Sequence, residues 1–303
     1  MLFDKILVAL DGSHNSRNAA EYAFWLSSNL DSQLTGQHVI DPRLVDLFIS
    51  PEFAEELGFS CSVDTSEKVF SALKKVGRVI LDLFVREANE RGLEVSTCLD
   101  EGYIVECILA RLKEHDLLVM GHKSREDSEM PLNIVLGSVA ERLSVNSRKS
   151  VLIASRPLKE IEQILVAYDG SEPSRGALLM AENLAKNTNC KLKALTVVAP
   201  GADLNSAKII AQDGEKFLRE FWSENVFFQK EGMVAESLLE QAKSSKSLLV
   251  IGAYGYNNKE QNVLGSTTSE VMRKAAVSTL VFKPIGKRSA KKGAMGAETV
   301  RAT

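Results

Sequence analysis

The sequence predicts an α/β protein made of two doubly wound parallel-sheet domains in tandem. Three observations carry that reading. First, the chain repeats itself: Ile6–Ser13 reads ILVALDGS and Ile164–Ser171 reads ILVAYDGS, with seven of eight positions matching at an offset of 158. Second, each copy alternates short continuous apolar runs with segments whose apolar residues recur at helical spacing, the pattern of a parallel sheet covered on both faces. Third, 303 residues suit two domains of roughly 100–200 residues each.

The repeat holds downstream. VMGHKS (Val119–Ser124) answers VIGAYG (Val250–Gly255) at offset 131, and LGSVAERL (Leu136–Leu143) answers LGSTTSEV (Leu264–Val271) at offset 128. The first copy is therefore 27 residues longer in its middle and three longer near its end. In the first copy, strands are expected at Lys5–Leu10, Leu34–Ile40, Glu94–Leu99, Leu117–Met120 and Val151–Ala154. Helices are expected between them at Ser16–Leu30, about Glu67–Arg91, Ile104–Glu114 and Gly137–Ser144. The second copy keeps the order, with strands near Ile164–Ala167, Lys191–Val198, Val226–Gln229, Leu248–Ile251 and Thr279–Phe282. Proline and charge interrupt the apolar pattern around Arg156–Gln163, which sets domains at 1–156 and 160–285. The extra residues, about 41–64, carry Pro42, Phe48, Pro51, Phe53 and Phe59. They predict a short helical excursion packed over the first domain, as decoration or as a lid.

Composition narrows the function. With 45% apolar and 25% charged residues, the chain is neither disordered throughout nor a coiled-coil rod. No window approaches the ~18 consecutive apolar residues of a membrane span. The start, MLFDKILVALDGS, lacks the small-residue cleavage site of a secretion signal. A cytoplasmic protein without a membrane partner is expected. A net charge of −3 argues against a nucleic-acid binder. The segment 287–303 holds five cations against Glu298, leaving −7 on the remainder; it reads as a disordered basic tail. Cys61, Cys98, Cys107 and Cys190 form no CxxC pair, and Cys98 and Cys107 read as small core residues. The four histidines show neither HxH nor HExxH spacing, so no metal site is expected from side chains.

Open parallel sheets bind ligands beyond the carboxyl ends of their strands. After strand one come Asp11-Gly12-Ser13 and Asp169-Gly170-Ser171, each able to start a turn and cap a helix or to meet a ligand's polar edge. After strand four of the second copy come Gly252-Ala253-Tyr254-Gly255, nine residues, and Gly265-Ser266-Thr267 opening a helix. Glycines there let the backbone approach a ligand closely. Gly265 and Ser266 place free N–H groups at a helix start, where the macrodipole favours an anion such as phosphate. The hydroxyls of Ser266 and Thr267 add hydrogen bonds.

This constellation, G-x2-G-x9-G-S/T after the fourth strand with D-G-S after the first, resembles the universal stress protein family in its tandem form, over about residues 1–285. The resemblance implies an adenine nucleotide alpha hydrolase-like fold with strand order 3-2-1-4-5, and bound ATP or AMP in members with the glycine motif. Carried onto the second copy, it implies Ala167, Asp169 and Val197 at the adenosine, with Ile251, Gly252 and Tyr254 beside them. Gly255, Gly265, Ser266 and Thr267 would take the phosphates. Mg²⁺ is expected with a triphosphate, because the motif brings no lysine of P-loop type.

The first copy departs from the pattern. Ser124 stands where the second glycine belongs, and twelve residues, acids among them, separate it from Gly137. Asp11, Val39, Gly121, Gly137 and Ser138 remain as weaker candidates, and this half is expected to be nucleotide-free or weakly binding. Neither copy has the G-x4-G-K-[ST] of a P-loop, the G-x-G-x-x-G of a dinucleotide enzyme, or the G-x-S-x-G of a hydrolase. Three functions stay open: a nucleotide-binding stress-response sensor, a protein-interaction scaffold with a structural nucleotide, and a slow ATPase. The family's strand order puts each copy's last strand at an exposed apolar edge, an association template. Intramolecular pairing of Val151–Ala154 with Thr279–Phe282 is expected, and a further homodimer of whole chains is allowed.

Overall fold

A computed structural model describes residues 2–48, 63–122, 139–158, 161–220, 222, 224–254, 264–274 and 276–284. The first repeat gives β1 (Lys5–Ala9), α1 (His14–Leu30), β2 (Gln33–Ile40), α2 (Pro42–Phe48), α3 (Val63–Asn89), β3 (Val95–Glu101), α4 (Ile104–Leu112), β4 (Leu117–Gly121), α5 (Val139–Asn146) and β5 (Ser150–Ala154). The second gives β6 (Gln163–Ala167), α6 (Glu172–Thr188), β7 (Lys191–Val198), α7 (Leu204–Leu218), β8 (Phe227–Glu231), α8 (Val234–Ser244), β9 (Ser247–Gly252), α9 (Ser266–Lys274) and β10 (Thr279–Phe282). The basic tail at 287–303 and Cys61 lie outside the described residues. So does most of the expected excursion at 41–64, of which α2 is a helical piece. Among the described residues no helix is long and apolar enough to cross a membrane.

The repeated Asp-Gly-Ser segment folds twice into the same device. Gly12 and Gly170 take left-handed φ values of +80° and +79°, which a side chain would resist. Ser13 Oγ then accepts from Ser16 N at 3.1 Å, and Ser171 Oγ from Ser174 N at 3.3 Å, capping α1 and α6. The cap carries α1 back to His14, ahead of the first residue with an apolar period.

The ten strands form one sheet in the order β3-β2-β1-β4-β5-β10-β9-β6-β7-β8. Each half has the expected 3-2-1-4-5 order, and every pair within a half is parallel. The join is antiparallel: Leu280 lies opposite Leu152 and Val281 opposite Val151. Alternate strand residues face two layers. Ile6, Val8, Leu152 and Leu280 enter one core, while Leu7, Val151, Leu249, Ile251 and Val281 enter the other. Both layers draw on both domains. Cys98 and Cys107 are half-buried, not core. Burial still pushes the Cys98 thiol up to about 11, so it stays protonated.

Side chains lock the seam. Ser278 Oγ accepts from the backbone N–H groups of Ser155 at 3.0 Å and Arg156 at 3.1 Å. The Lys283 ammonium belongs to a residue only 4% exposed, and it donates to Val145 O at 2.9 Å and Ser147 O at 2.6 Å. It also lies 5.7 Å from the Tyr254 ring centre, and burial pushes its pKa down to about 8. From the other half, His122 Nε2 donates to Met272 O at 2.9 Å.

The seam can be tested by charge and by acid. Leu280→Lys puts a charge where the wild-type side chain is 0% exposed, and an unpaired buried charge costs about 3–5 kcal/mol. Limited proteolysis should then cut the 155–163 seam faster than in the wild type, and an equally protected seam would refute the join. Acid acts through His122. Burial holds its imidazole below the ordinary pKa, outweighing its bond to Met272. The folded pKa lies under the unfolded value of about 6.5, so stability is full above that pH and is lost as pH falls through the folded pKa. The thermal midpoint should fall more between about pH 7 and pH 5 in the wild type than in His122→Gln.

Candidate functional site

In the second domain the carboxyl ends of β6, β7 and β9 and the starts of α7, α8 and α9 enclose a cavity of about 810 Å³. That is within the range of small-molecule sites. Ala167, Asp169, Val197, Ile251, Gly252, Tyr254, Gly265, Ser266 and Thr267 all line it. The structure thus brings together every described residue that the sequence singled out in this half; Gly255 lies outside the described residues.

Local geometry assigns these residues different work. Asp169 Oδ1 accepts from Ser171 N at 3.0 Å and from Ser171 Oγ at 2.5 Å. That oxygen is occupied by the turn, which leaves Oδ2 for a ligand. Gly265 does not offer a free N–H: it donates to Ala253 O at 2.9 Å. This corrects the expectation from sequence, because the Gly265 N–H is bonded to the residue that follows β9 before the helix begins. The first N–H to bond within the helix is that of Ser269, to Gly265 O. The donors of Ser266, Thr267 and Thr268 precede it and are the ones the helix start presents. Gly252 is also glycine for a different reason than ligand approach. A Cβ there would come within 2.9 Å of Pro173 Cβ and 3.0 Å of its carbonyl carbon, so the start of α6 demands the space.

The charge around the cavity is one-sided. Its described lining includes the carboxylates Asp169 and Asp203 and neither lysine nor arginine. Asp203 is the N-cap of α7, accepting from Asn205 N at 3.0 Å and Ser206 N at 3.3 Å. Those bonds from Asn205 and Ser206 hold its carboxyl below the usual range. Burial raises the pKa of the Tyr254 hydroxyl, so the ring presents a neutral face. Thr196 Oγ1 is buried and has no partner among the described residues. Sequence reasoning missed Thr196, Asp203 and Ser206. The polar Asp203-x-x-Ser206 start of α7 was the available signal, and only the strand order shows that it returns to this mouth.

The first domain has its own, smaller cavity of about 370 Å³. Asp11, Val39 and Gly121 line it, whereas Gly137 and Ser138 lie outside the described residues. Asp11 Oδ1 accepts from Ser13 N at 2.9 Å, repeating the turn. At Gly121 a Cβ would stand 2.4 Å from Asn15 C, a tighter fit of helix on strand than at Gly252. Among the described residues no cluster of three or more His, Cys, Asp or Glu could hold a metal.

Comparison with known proteins agrees with this architecture. The universal stress protein family profile matches residues 2–155 and again 160–283. A universal stress protein of Synechocystis sp. is 25% identical over 289 residues, covering 92% of this chain and 99% of that protein. One from Mycolicibacterium smegmatis is 24% identical over 296 residues, covering 92% and 97%. Among solved structures, a universal stress protein from Archaeoglobus fulgidus superposes with a TM-score of 0.66 at 22% identity, covering 93% of this chain and 97% of that one. With the family matched in both halves and the sheet order reproduced in each, the chain belongs to the universal stress protein family, in tandem form.

Proposed function

We propose that the second domain binds one adenine nucleotide and that the protein acts as a nucleotide-responsive stress regulator. The observation that carries the reading is the convergence of the described glycine-motif residues on one cavity of about 810 Å³. The cavity is large enough for a nucleotide, and its chemistry differs from end to end. Ala167, Val197 and Ile251 supply apolar walls for a base, with Asp169 Oδ2 available to a ribose hydroxyl or base N–H. At the other end the start of α9 offers N–H groups and the hydroxyls of Ser266 and Thr267, where the helix dipole favours an anion. Thr196 Oγ1, buried without a partner among the described residues, is a further polar atom for the ligand to satisfy.

The same lining limits how phosphate charge is carried. With two carboxylates and neither lysine nor arginine in the described lining, a triphosphate needs its charge offset by a bound ion. Mg²⁺ fits: it is held by phosphate oxygens and waters, with the Ser266 and Thr267 hydroxyls nearby and no side-chain cage among the described residues. AMP, with less charge, makes a smaller demand. No described residue of the cavity is aimed as a general base, so binding rather than turnover is the proposed activity.

Mass analysis of ligand released from purified protein tests the proposal directly, and an absence of any adenine nucleotide both there and in titrations would refute it. Gly265→Asp, placing a carboxylate at the mouth of α9, should weaken ATP by at least about tenfold, or about 1.4 kcal/mol. Gly137→Asp in the first domain should do much less, and equal losses would show that both halves bind. Chelation of divalent ions should weaken ATP markedly and AMP little; chelator-insensitive ATP binding would remove the ion from the scheme.

A further inference from the structure

The first-domain cavity is not a damaged copy of the second. Its chemistry has been replaced. Thr267 and Thr268, at the phosphate end of the second cavity, correspond to Val139 and Ala140 at offset 128, and both of these line the first. From the far side, Leu73, Val76 and Ile80 of α3 complete an apolar wall. No lysine or arginine is among the described residues lining this cavity. The start of α5 there carries Val139 and Ala140 in place of two threonines, so its described side chains offer a phosphate neither a hydroxyl nor a cation.

What the lining does offer is hydrogen-bond acceptors. Gln37 is 1% exposed. Its Nε2 donates to Asp100 Oδ2 at 2.7 Å and to Cys107 O at 3.3 Å. Two acceptors fix that end of the amide as the NH₂, so Oε1 is the other atom, and it has no partner among the described residues. His122 is constrained in the same way. Its Nε2 faces the carbonyl of Met272 and must carry a hydrogen, so the neutral ring leaves Nδ1 as an acceptor. Nδ1 is likewise buried and without a partner among the described residues. Both residues are particular to this half: at the corresponding positions the second domain has Leu195 and Ala253. Buried acceptors normally find donors. Gln37 and His122 both line this apolar cavity, and an unmet acceptor on each points to a donor supplied from outside.

We propose that the first-domain cavity is a second ligand site, selective for a small uncharged molecule with an apolar body and an OH or NH donor, and closed to phosphate esters. A cavity of about 370 Å³ lies near the lower end of small-molecule sites, matching a ligand of one or two rings. The inference stands independently of the nucleotide proposed for the second domain, since the two cavities share no lining residue.

The test uses the full chain and three probes: 4-methylphenol, toluene, and 4-methylphenyl phosphate, followed by ligand-observed NMR and calorimetric titration. 4-Methylphenol should bind saturably at one site per chain, toluene about tenfold more weakly for lack of a donor, and the phosphate ester not at all. Val76→Trp, at a wall position that is 54% exposed and so tolerant of size, should weaken 4-methylphenol at least about tenfold. Gln37→Leu should reduce the preference for 4-methylphenol over toluene, leaving only what the His122 acceptor supplies. Gly265→Asp should leave the probe untouched, so a failure of nucleotide binding and a failure of this site read out separately. Absence of saturable binding, equal binding of the phosphate ester, or a probe that responds to Gly265→Asp and not to Val76→Trp would overturn the proposal.

Discussion

The antiparallel pairing of β5 with β10 is the contact on which the rest of the molecule depends. Each domain alone would end in an apolar strand with one open edge. In the whole chain Leu152 and Leu280 lie opposite each other across the join and are both 0% exposed. Exposed strand edges with apolar side chains invite association, and here the partner is the chain's own second half. The result is one ten-stranded sheet with two continuous cores in place of two separate ones.

That pairing also dictates where the two cavities lie. Strands of the two halves run in opposite directions, so their carboxyl ends, and with them the cavities, open at opposite ends of the sheet. Helix α9 begins at the second cavity and runs back toward the first, where its Met272 carbonyl meets His122. Helix α5 begins at the first cavity with Val139 and Ala140, and ends at the carbonyls that hold Lys283 beside Tyr254. Each cavity therefore has a helix whose far end is anchored to a residue at the other. This reciprocity is a consequence of the pseudo-twofold join and needs no further device.

The domains share a fold and differ in what they place at the strand ends. In the second, a helix of 15 residues, α7, brings a polar start with Asp203 and Ser206 to the cavity. In the first, α3 has 27 residues and brings an apolar face. The turn after the first strand is the same in both, down to the left-handed glycine and the serine cap. Keeping the turn while exchanging the walls alters ligand chemistry without disturbing the sheet, because the walls belong to loops and helices outside the hydrogen-bonded ladder.

The amino-acid sequence by itself determined the two-domain α/β architecture, the positions of the strands, and the Asp-Gly-Ser turns that lead into the helices after β1 and β6. These were legible because they are local. A strand buried on both faces must be a continuous apolar run, and a helix start needs its capping serine at a fixed spacing. Asp169, Val197, Ile251 and Ser266 converge because the strand order that the family resemblance implied brings their ends together. Other features were decided only by tertiary structure. Gly265 spends its N–H on Ala253, and Gly252 is kept small by Pro173, neither of which a motif can show. Thr196, Asp203 and Ser206 join the site from segments with no glycine signature. Gln37 and His122 read as ordinary polar residues until the fold buries one acceptor atom of each. The physical reason is the same throughout: periodicity and spacing report interactions over one or two turns of chain, whereas which atom is left without a partner depends on contacts between segments far apart in sequence.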